Sequence, residues 1–430
     1  MRAPKRTALL LGLAMLAALL AAPLAQAMPA FARQYELSCS TCHVAFPRLN
    51  AFGETFRDQL NLRMPDWRPK TTLPIPDDEL ALPKSLPLAV RMQADVQWRS
   101  GREVDPISGP TDNSAEFDFQ APYLIKLLSG APLSDHLTYY FYGIFAEKGA
   151  NGATVIEDAW FRHDDLFGTK VAGQLGQFQI SDLMFPRETR MTFQDFMAYR
   201  MAGITYDRGV LFTRALGPED TALGFVNGNG IEQNFSISSP GIRRPDEMFD
   251  NDAGKTAFGR VGMKVAGVKA GFFGLAGRQK NAIGTAAIDT GTRHTNKRIL
   301  GIDASGNPGG KIFWFGQVLW NRWNGFLDPD KDYRWTGGFA GVDYVPGGRW
   351  VYTVLWNHVS AGDFADSGTI YEGLAMRTLT LGASYYFMRN VKGLIEVNVD
   401  LLDKKEPAGS PFVGHLTKEN YLLFGLDAAF

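Results

Sequence analysis

From Leu88 onward the chain alternates. Leu88, Val90, Met92, Ala94, Val96 and Trp98 are apolar, while Ala89, Arg91, Gln93, Asp95, Gln97 and Arg99 between them are small, polar or charged. A period of two gives a strand one apolar face and one wet face. The pattern recurs at 115–127, where Phe117, Phe119, Ala121, Tyr123 and Ile125 interleave with Glu116, Asp118, Gln120 and Lys126. It returns at 349–357 with Trp350, Tyr352, Val354 and Trp356 against Arg349, Thr353 and Asn357, and at 394–402 with Ile395, Val397, Val399 and Leu401 against Glu396, Asn398 and Asp400. Segments of about ten such residues build a transmembrane β-barrel; a soluble sandwich shows the same period.

Loop lengths and the C-terminus decide between the two. Strands are predicted near 86–99, 115–128, 136–147, 152–162, 170–178, 208–216, 221–228, 256–265, 267–278, 297–305, 311–323, 333–344, 349–358, 374–388, 392–403 and 419–430, an even sixteen. Long connections fall at 100–114, 179–207, 229–255, 279–296, 359–373 and 404–418; short ones include 217–220, 306–310 and 345–348. Short turns at one end and long loops at the other are the outer-membrane arrangement, with short turns and both termini periplasmic. The connection at 148–151 breaks the rule by being short. The last strand, "YLLFGLDAAF", sets Leu422, Phe424, Leu426, Ala428 and Phe430 on one face. The expectation is an all-β chain, a 16-stranded antiparallel transmembrane β-barrel of porin type over 86–430.

Composition fits a bacterial outer-membrane location. Arg2, Lys5 and Arg6 precede an apolar run from Ala8 to about Ala22 and an Ala25-Gln26-Ala27 site, which reads as a secretory signal peptide over 1–27. Its removal takes three basic and no acidic residues from 44 and 45, leaving a net charge of −4, which gives no reason to expect nucleic acid. No run of about 20 apolar residues follows, which excludes α-helical membrane spans.

Between leader and barrel stands "ELSCSTCHVAFPRLNAFGETFRDQL" (36–60), which holds both cysteines of the chain, Cys39 and Cys42, with His43 directly behind. C-x-x-C-H is the attachment pattern of a c-type haem, with two thioethers to the vinyl groups and the histidine as axial ligand to iron. The alternatives are a disulfide or a redox-active CxxC pair with His43 incidental. These leave the adjacent histidine unexplained, and no thioredoxin-like βαβ pattern surrounds it. Leu49, Phe52, Phe56 and Leu60 recur at helical spacing, with Pro47 in the first turn, as a small haem-covering helix within a segment 28–64. Residues 64–87 contain six prolines and read as an extended linker, 65–85, into the first strand. Candidate distal ligands are Met64 and, at the short-turn rim, His136 and His163; a five-coordinate iron is the other option. His294, His358 and His415 fall at the opposite end. No Ser-His-Asp order, H-E-x-x-H or phosphate loop stands out.

"FARQYELSCSTCHVAFPRLNAFGETFR" (31–57) followed by a porin-like body resembles the fused monohaem cytochrome–porins of bacterial outer membranes, whose characterised members oxidise extracellular Fe(II). The stretch "GITYDRGVLFTRALGPEDTALGFVNGNG" (203–230) also resembles phosphate-selective porin barrels. The first resemblance implies one covalent haem c on Cys39 and Cys42 with His43 as axial ligand. It also implies an extracellular Fe(II) donor and a periplasmic c-type cytochrome as acceptor. An apolar band about 25 Å tall is too thick for a haem on the periplasmic surface to serve an outer donor. The haem segment is therefore expected as a plug inside the barrel, where a sixteen-stranded lumen has room for one. The alternative is a diffusion porin whose haem segment gates or senses, its lumen lined by Arg91, Asp95, Arg99, Glu116 and Asp118. If iron enters from outside, oxygen ligands suit it: Asp246, Glu247, Asp250 and Asp252 in loop 229–255, or Asp328, Asp330 and Asp332 in loop 324–332.

Overall fold

The computed structural model describes residues 30–64, 87–100, 103–105, 109–111, 117–147, 155–216, 219–230, 254–280, 294–365, 367, 374–402 and 420–430. The signal peptide, the proline-rich linker, Glu116, His415 and the loop carboxylates Asp246, Glu247, Asp250 and Asp252 lie outside the described residues.

The N-terminal segment forms α1 (Ala30–Tyr35), α2 (Cys39–Cys42), a hairpin of β1 (His43–Ala45) and β2 (Arg48–Leu49), and α3 (Ala51–Asp58). Strand β3 (Leu88–Ser100) follows, then a small hairpin of β4 (Glu103–Asp105) and β5 (Gly109–Thr111). The wall continues with β6 (Asp118–Pro132), β7 (Leu137–Glu147), β8 (Val155–His163), β9 (Ala172–Gln179), β10 (Tyr206–Leu216) and β11 (Glu219–Val226). After these come β12 (Thr256–Val265), β13 (Val268–Lys280), β14 (His294–Gly306), β15 (Ile312–Asn324) and β16 (Asp332–Tyr344). The last strands are β17 (Trp350–Val359), β18 (Met376–Met388), β19 (Val391–Asp400) and β20 (Asn420–Ala429). All but β1, β2, β4 and β5 join one closed antiparallel barrel of sixteen strands, β20 pairing with β3. Val90 and Phe430 exchange backbone hydrogen bonds of 2.6 and 2.7 Å at the seam.

The period-two reading holds around the wall. On β17 the side chains of Val351, Thr353, Leu355 and Asn357 are buried toward the lumen, and Trp350, Tyr352, Val354 and Trp356 face outward. On β19, Glu396, Asn398 and Asp400 point in, while Ile395, Val397 and Val399 point out. Arg91 faces the lumen and pairs with Asp427 at 2.8 and 2.9 Å. Short turns cluster at one end: Ala266-Gly267 joins β12 to β13 with both φ positive, 50° and 82°, the backbone twist that tight hairpins need.

Two expectations change. Tyr123 turns into the lumen instead of outward, its ring 5.1 Å from Phe193. The β3–β6 register slips between Gln93 and Asp95, beside Pro122, which has no N–H for the ladder, and the bulge re-aims the side chain. The second change concerns 180–205, between β9 and β10. Expected as an outer loop, it folds into the barrel and carries α4 (Met197–Ala202) across the lumen. Phe196, Ala198, Tyr199 and Ala202 are completely buried. Phe196 stacks on Phe339 of β16 at 4.3 Å and Phe185 on Phe315 of β15 at 4.2 Å. Gly337 lets the loop close in, since a β-carbon there would stand 3.3 Å from that of Ala198. The Glu396 carboxylate accepts the N–H groups of Phe193 and Gln194 at 2.6 and 2.8 Å and the Tyr421 hydroxyl at 2.7 Å. Apolar packing and a buried carboxylate thus tie the loop to the opposite wall.

Candidate functional site

The site is built on one turn of helix. Ser38 caps α2, its side chain accepting from the Ser40 N–H, and the i, i+3 spacing sets Cys39 and Cys42 on one face. Both are free, half-buried thiols, and burial pushes their pKa values above 9.0, away from an activated thiolate. His43 leaves the helix in extended conformation. Its Nδ1 lies 3.1 Å from the Pro47 carbonyl, an acceptor only, so Nδ1 carries the proton and Nε2 keeps its lone pair. Burial lowers the pKa of His43 from its ordinary value, which favours the neutral ring. A neutral imidazole whose other nitrogen is held by a carbonyl is the form that binds a metal.

The rest of the segment fixes this turn. Asn50 accepts from the Gly53 N–H at 2.8 Å as the N-cap of α3, and its amide donates to the carbonyls of Ser40 and Thr41 at 3.2 and 2.9 Å. The helix therefore starts at Ala51, not at Pro47, because asparagine supplies the cap while Pro47 sits in the hairpin orienting His43. Gly53 lies against the Cys42 carbonyl, where a β-carbon would clash with backbone. Phe56 packs edge-on against Phe31 and Tyr35 at 5.5 and 5.7 Å, closing a small core over α3.

This segment occupies the barrel at its short-turn end. Arg48 pairs with Asp343 of β16, and its guanidinium lies over Phe185 and Phe315 at 4.9 and 5.2 Å. The Tyr386 hydroxyl donates to the Phe46 carbonyl, and Arg91 lies 5.2 Å from the Phe46 ring. On the other side Lys269 pairs with Glu54 at 2.8 Å, and Arg162 donates to the Asp58 carbonyl at 2.6 Å. Asn61 donates to the His136 carbonyl at 3.0 Å and accepts from Thr138 at 2.8 Å. Plug and inward loop meet at Arg48 and Phe185. Beside them remains a cavity of about 620 Å³, bordered by Glu54, Arg57, Asp58, Asp182, Arg260 and Asp303.

The proposed ligands do not all converge. His136 and His163 stack on each other at 5.4 Å, and His136 Nδ1 is held 2.6 Å from Asp164. Met64 ends the stretch bound to the rim of β7 through Asn61 and Arg63, whereas His43 opens the hairpin bound to β16 and β18. In loop 324–332, Asp332 is committed to Arg322 and Asn324, and Asp328 accepts from the Asp330 N–H. Among the described residues no group of three His, Cys, Asp or Glu side chains is arranged to hold a metal ion. Sequence reasoning missed Arg48, Gly53 and Glu396, whose roles depend on partners 50 or more residues distant or on close backbone approach.

No protein-family model matches the chain, and no curated protein does. Solved structures do. The outer membrane channel DcaP of Acinetobacter baumannii superposes with a TM-score of 0.55 at 11% identity, over 80% of this chain and 96% of that one. An anion-selective porin from Comamonas acidovorans gives 0.54 at 12%, over 80% and 99%, and Salmonella typhi OmpF in complex with daunomycin 0.51 at 12%, over 80% and 97%. The barrel has the fold of bacterial outer-membrane porins.

Proposed function

We propose that this protein is an outer-membrane electron-transfer conduit. One haem c is held covalently by Cys39 and Cys42 with His43 Nε2 as axial ligand. Electrons come from an extracellular donor and leave to a periplasmic c-type cytochrome. The observation that carries the reading is the His43–Pro47 hydrogen bond behind a C-x-x-C turn, a donor set already in the tautomer that a haem iron takes. When bound, the haem supplies a one-electron carrier. The chain's own residues do the rest: Asn50 and Gly53 hold the turn, Arg48 and Phe46 seat it in the barrel, and the loop 180–205 excludes bulk water from the lumen above it. Fe(II) as donor rests on the family resemblance of residues 31–57.

The test is a haem-stained gel of the outer-membrane fraction from cells able to mature c-type cytochromes. A stained band that moves with the full chain and disappears in C39A/C42A supports the reading; a stain-free wild-type protein ends it. A diffusion porin with a haem-bearing gate is the second reading. It is favoured by the likeness to a channel and an anion-selective porin, and by the polar cavity beside the plug. Planar-bilayer recordings separate the two: a conduit passes little current, whereas an open porin gives large stepwise conductance.

A further inference from the structure

The barrel's outer face is apolar over most of its height. On β15 the outward residues are Ile312, Trp314, Gly316, Val318 and Trp320, and then Arg322. At roughly 3.3 Å per residue and a tilt of about 40°, the distance from Ile312 to Arg322 is about 25 Å, the height of a membrane band. Arg322 thus stands at the band's long-loop edge. It is not alone there, for Arg298 of β14 is its register partner on one side and Arg334 of β16 on the other.

Three guanidinium groups side by side on adjacent strands repel one another. Asp332 takes one side of Arg322, at 2.9 Å from Nε. Arg298 and Arg334 have no side-chain partner among the described residues. One row closer to the band's centre the wall recedes. The outward positions of β12 and β13 are Gly259 and Gly274, and a β-carbon on Gly274 would meet nothing within 4 Å. Leu223 stands on one side of this gap and Leu300 and Trp320 on the other, all exposed. The result is an outward-opening trough of about 840 Å³ that reaches the three arginines.

We propose that this trough binds a phosphorylated glycolipid of the outer leaflet, its phosphates on Arg298, Arg322 and Arg334 and an acyl chain over Gly259 and Gly274. Charge complementarity selects the occupant. Guanidinium forks match phosphate bidentately, and the row stands at head-group depth beside a slot one side chain deep. A second copy of this chain is a poor fit, because it would bring a further arginine row toward the first. The inference rests on placing the barrel in the outer membrane and is independent of the haem.

The experiment uses the full-length protein, purified from outer membranes and delipidated by detergent exchange, with lipid retention read by native mass spectrometry. The probes are bisphosphorylated lipid A, its dephosphorylated form, and phosphatidylglycerol. The variants are R298Q/R334Q, which removes the two cations that have no side-chain partner among the described residues, and G274F, which fills the slot. Heat-modifiable migration checks that each barrel is folded. Lipid A should bind the wild type best, and R298Q/R334Q and dephosphorylation should each weaken it by about tenfold or more. G274F should weaken all lipids while leaving the phosphate dependence intact. Equal retention by wild type and R298Q/R334Q overturns the site, equal or tighter phosphatidylglycerol binding overturns the glycolipid assignment, and an arginine-dependent dimer with no lipid effect replaces it with an interface. If the chain floats apart from the outer membrane altogether, it is the membrane placement that fails.

Discussion

Arg48 is the most buried cation among the plug's described residues, and its removal tests how the plug is seated. Its side chain and that of Asp343 are only 7% and 3% exposed. In R48A the Asp343 carboxylate keeps its burial and loses its cation, and breaking a buried pair from one side costs about 3–5 kcal/mol. The contacts with Phe185 and Phe315 add roughly 0.5–1 kcal/mol each. Water entering the vacated space offsets part of this, so about 3 kcal/mol is the working figure. At about 1.4 kcal/mol per tenfold, the balance between seated and released hairpin shifts by roughly 100-fold. Amide hydrogen exchange of residues 43–49 in the full-length protein reads this directly, with protection falling about 100-fold while the wall strands β14 to β17 stay protected. The double variant R48A/D343A removes the stranded charge as well and should regain most of the protection, leaving a deficit of roughly 1 kcal/mol from lost packing. Unchanged exchange in R48A, or a double variant as loose as the single one, would mean that the Arg48–Asp343 pair does not seat the plug.

Other substitutions follow from the same contacts. E396Q keeps the size of the group that holds the Phe193 and Gln194 N–H groups but removes its charge. Hydrogen bonds to charged groups are worth about 1.5–3 kcal/mol, so the loop should loosen and bilayer recordings should show more frequent openings; a wild-type trace would count against the loop as the lumen's closure. G53V sets a branched side chain against the Cys42 carbonyl, and the haem-stained fraction of purified protein should drop several-fold, with an undiminished yield telling against close α2–α3 packing. H43A leaves both thiols in place, so staining should persist while the absorption spectrum changes to that of an iron lacking its histidine.

How much of this was legible in the sequence depends on the range of the signal. Most wall strands follow a two-residue period, and where the interior face is polar, as Glu396, Asn398 and Asp400 make it on β19, the alternation stands out. All sixteen strands were therefore readable within a few residues. The C-x-x-C-H turn was readable for the same local reason. The inward course of 180–205 was not, although Phe196, Tyr199 and Ala202 at helical spacing are a clue that an exposed loop would not carry. Nothing local distinguishes a loop over the barrel from one inside it, because the deciding partners, Phe339 and Glu396, lie 140 or more residues away. Tyr123 failed for a different reason. A bulge beside a proline reverses which face a residue takes, and periodicity alone cannot register it.

The turn of Cys39, Cys42 and His43 is proposed to carry a haem seated so that electrons cross the barrel. The most direct measurement is the visible spectrum of full-length protein in sealed proteoliposomes, oriented with the long-loop side outward, after Fe(II) is added outside only, between pH 3 and 7. Reduced c-type bands should appear without detergent and without iron entering the vesicles. A protein with no haem bands, or one that dithionite reduces and external Fe(II) does not at any pH in that range, would contradict the proposal.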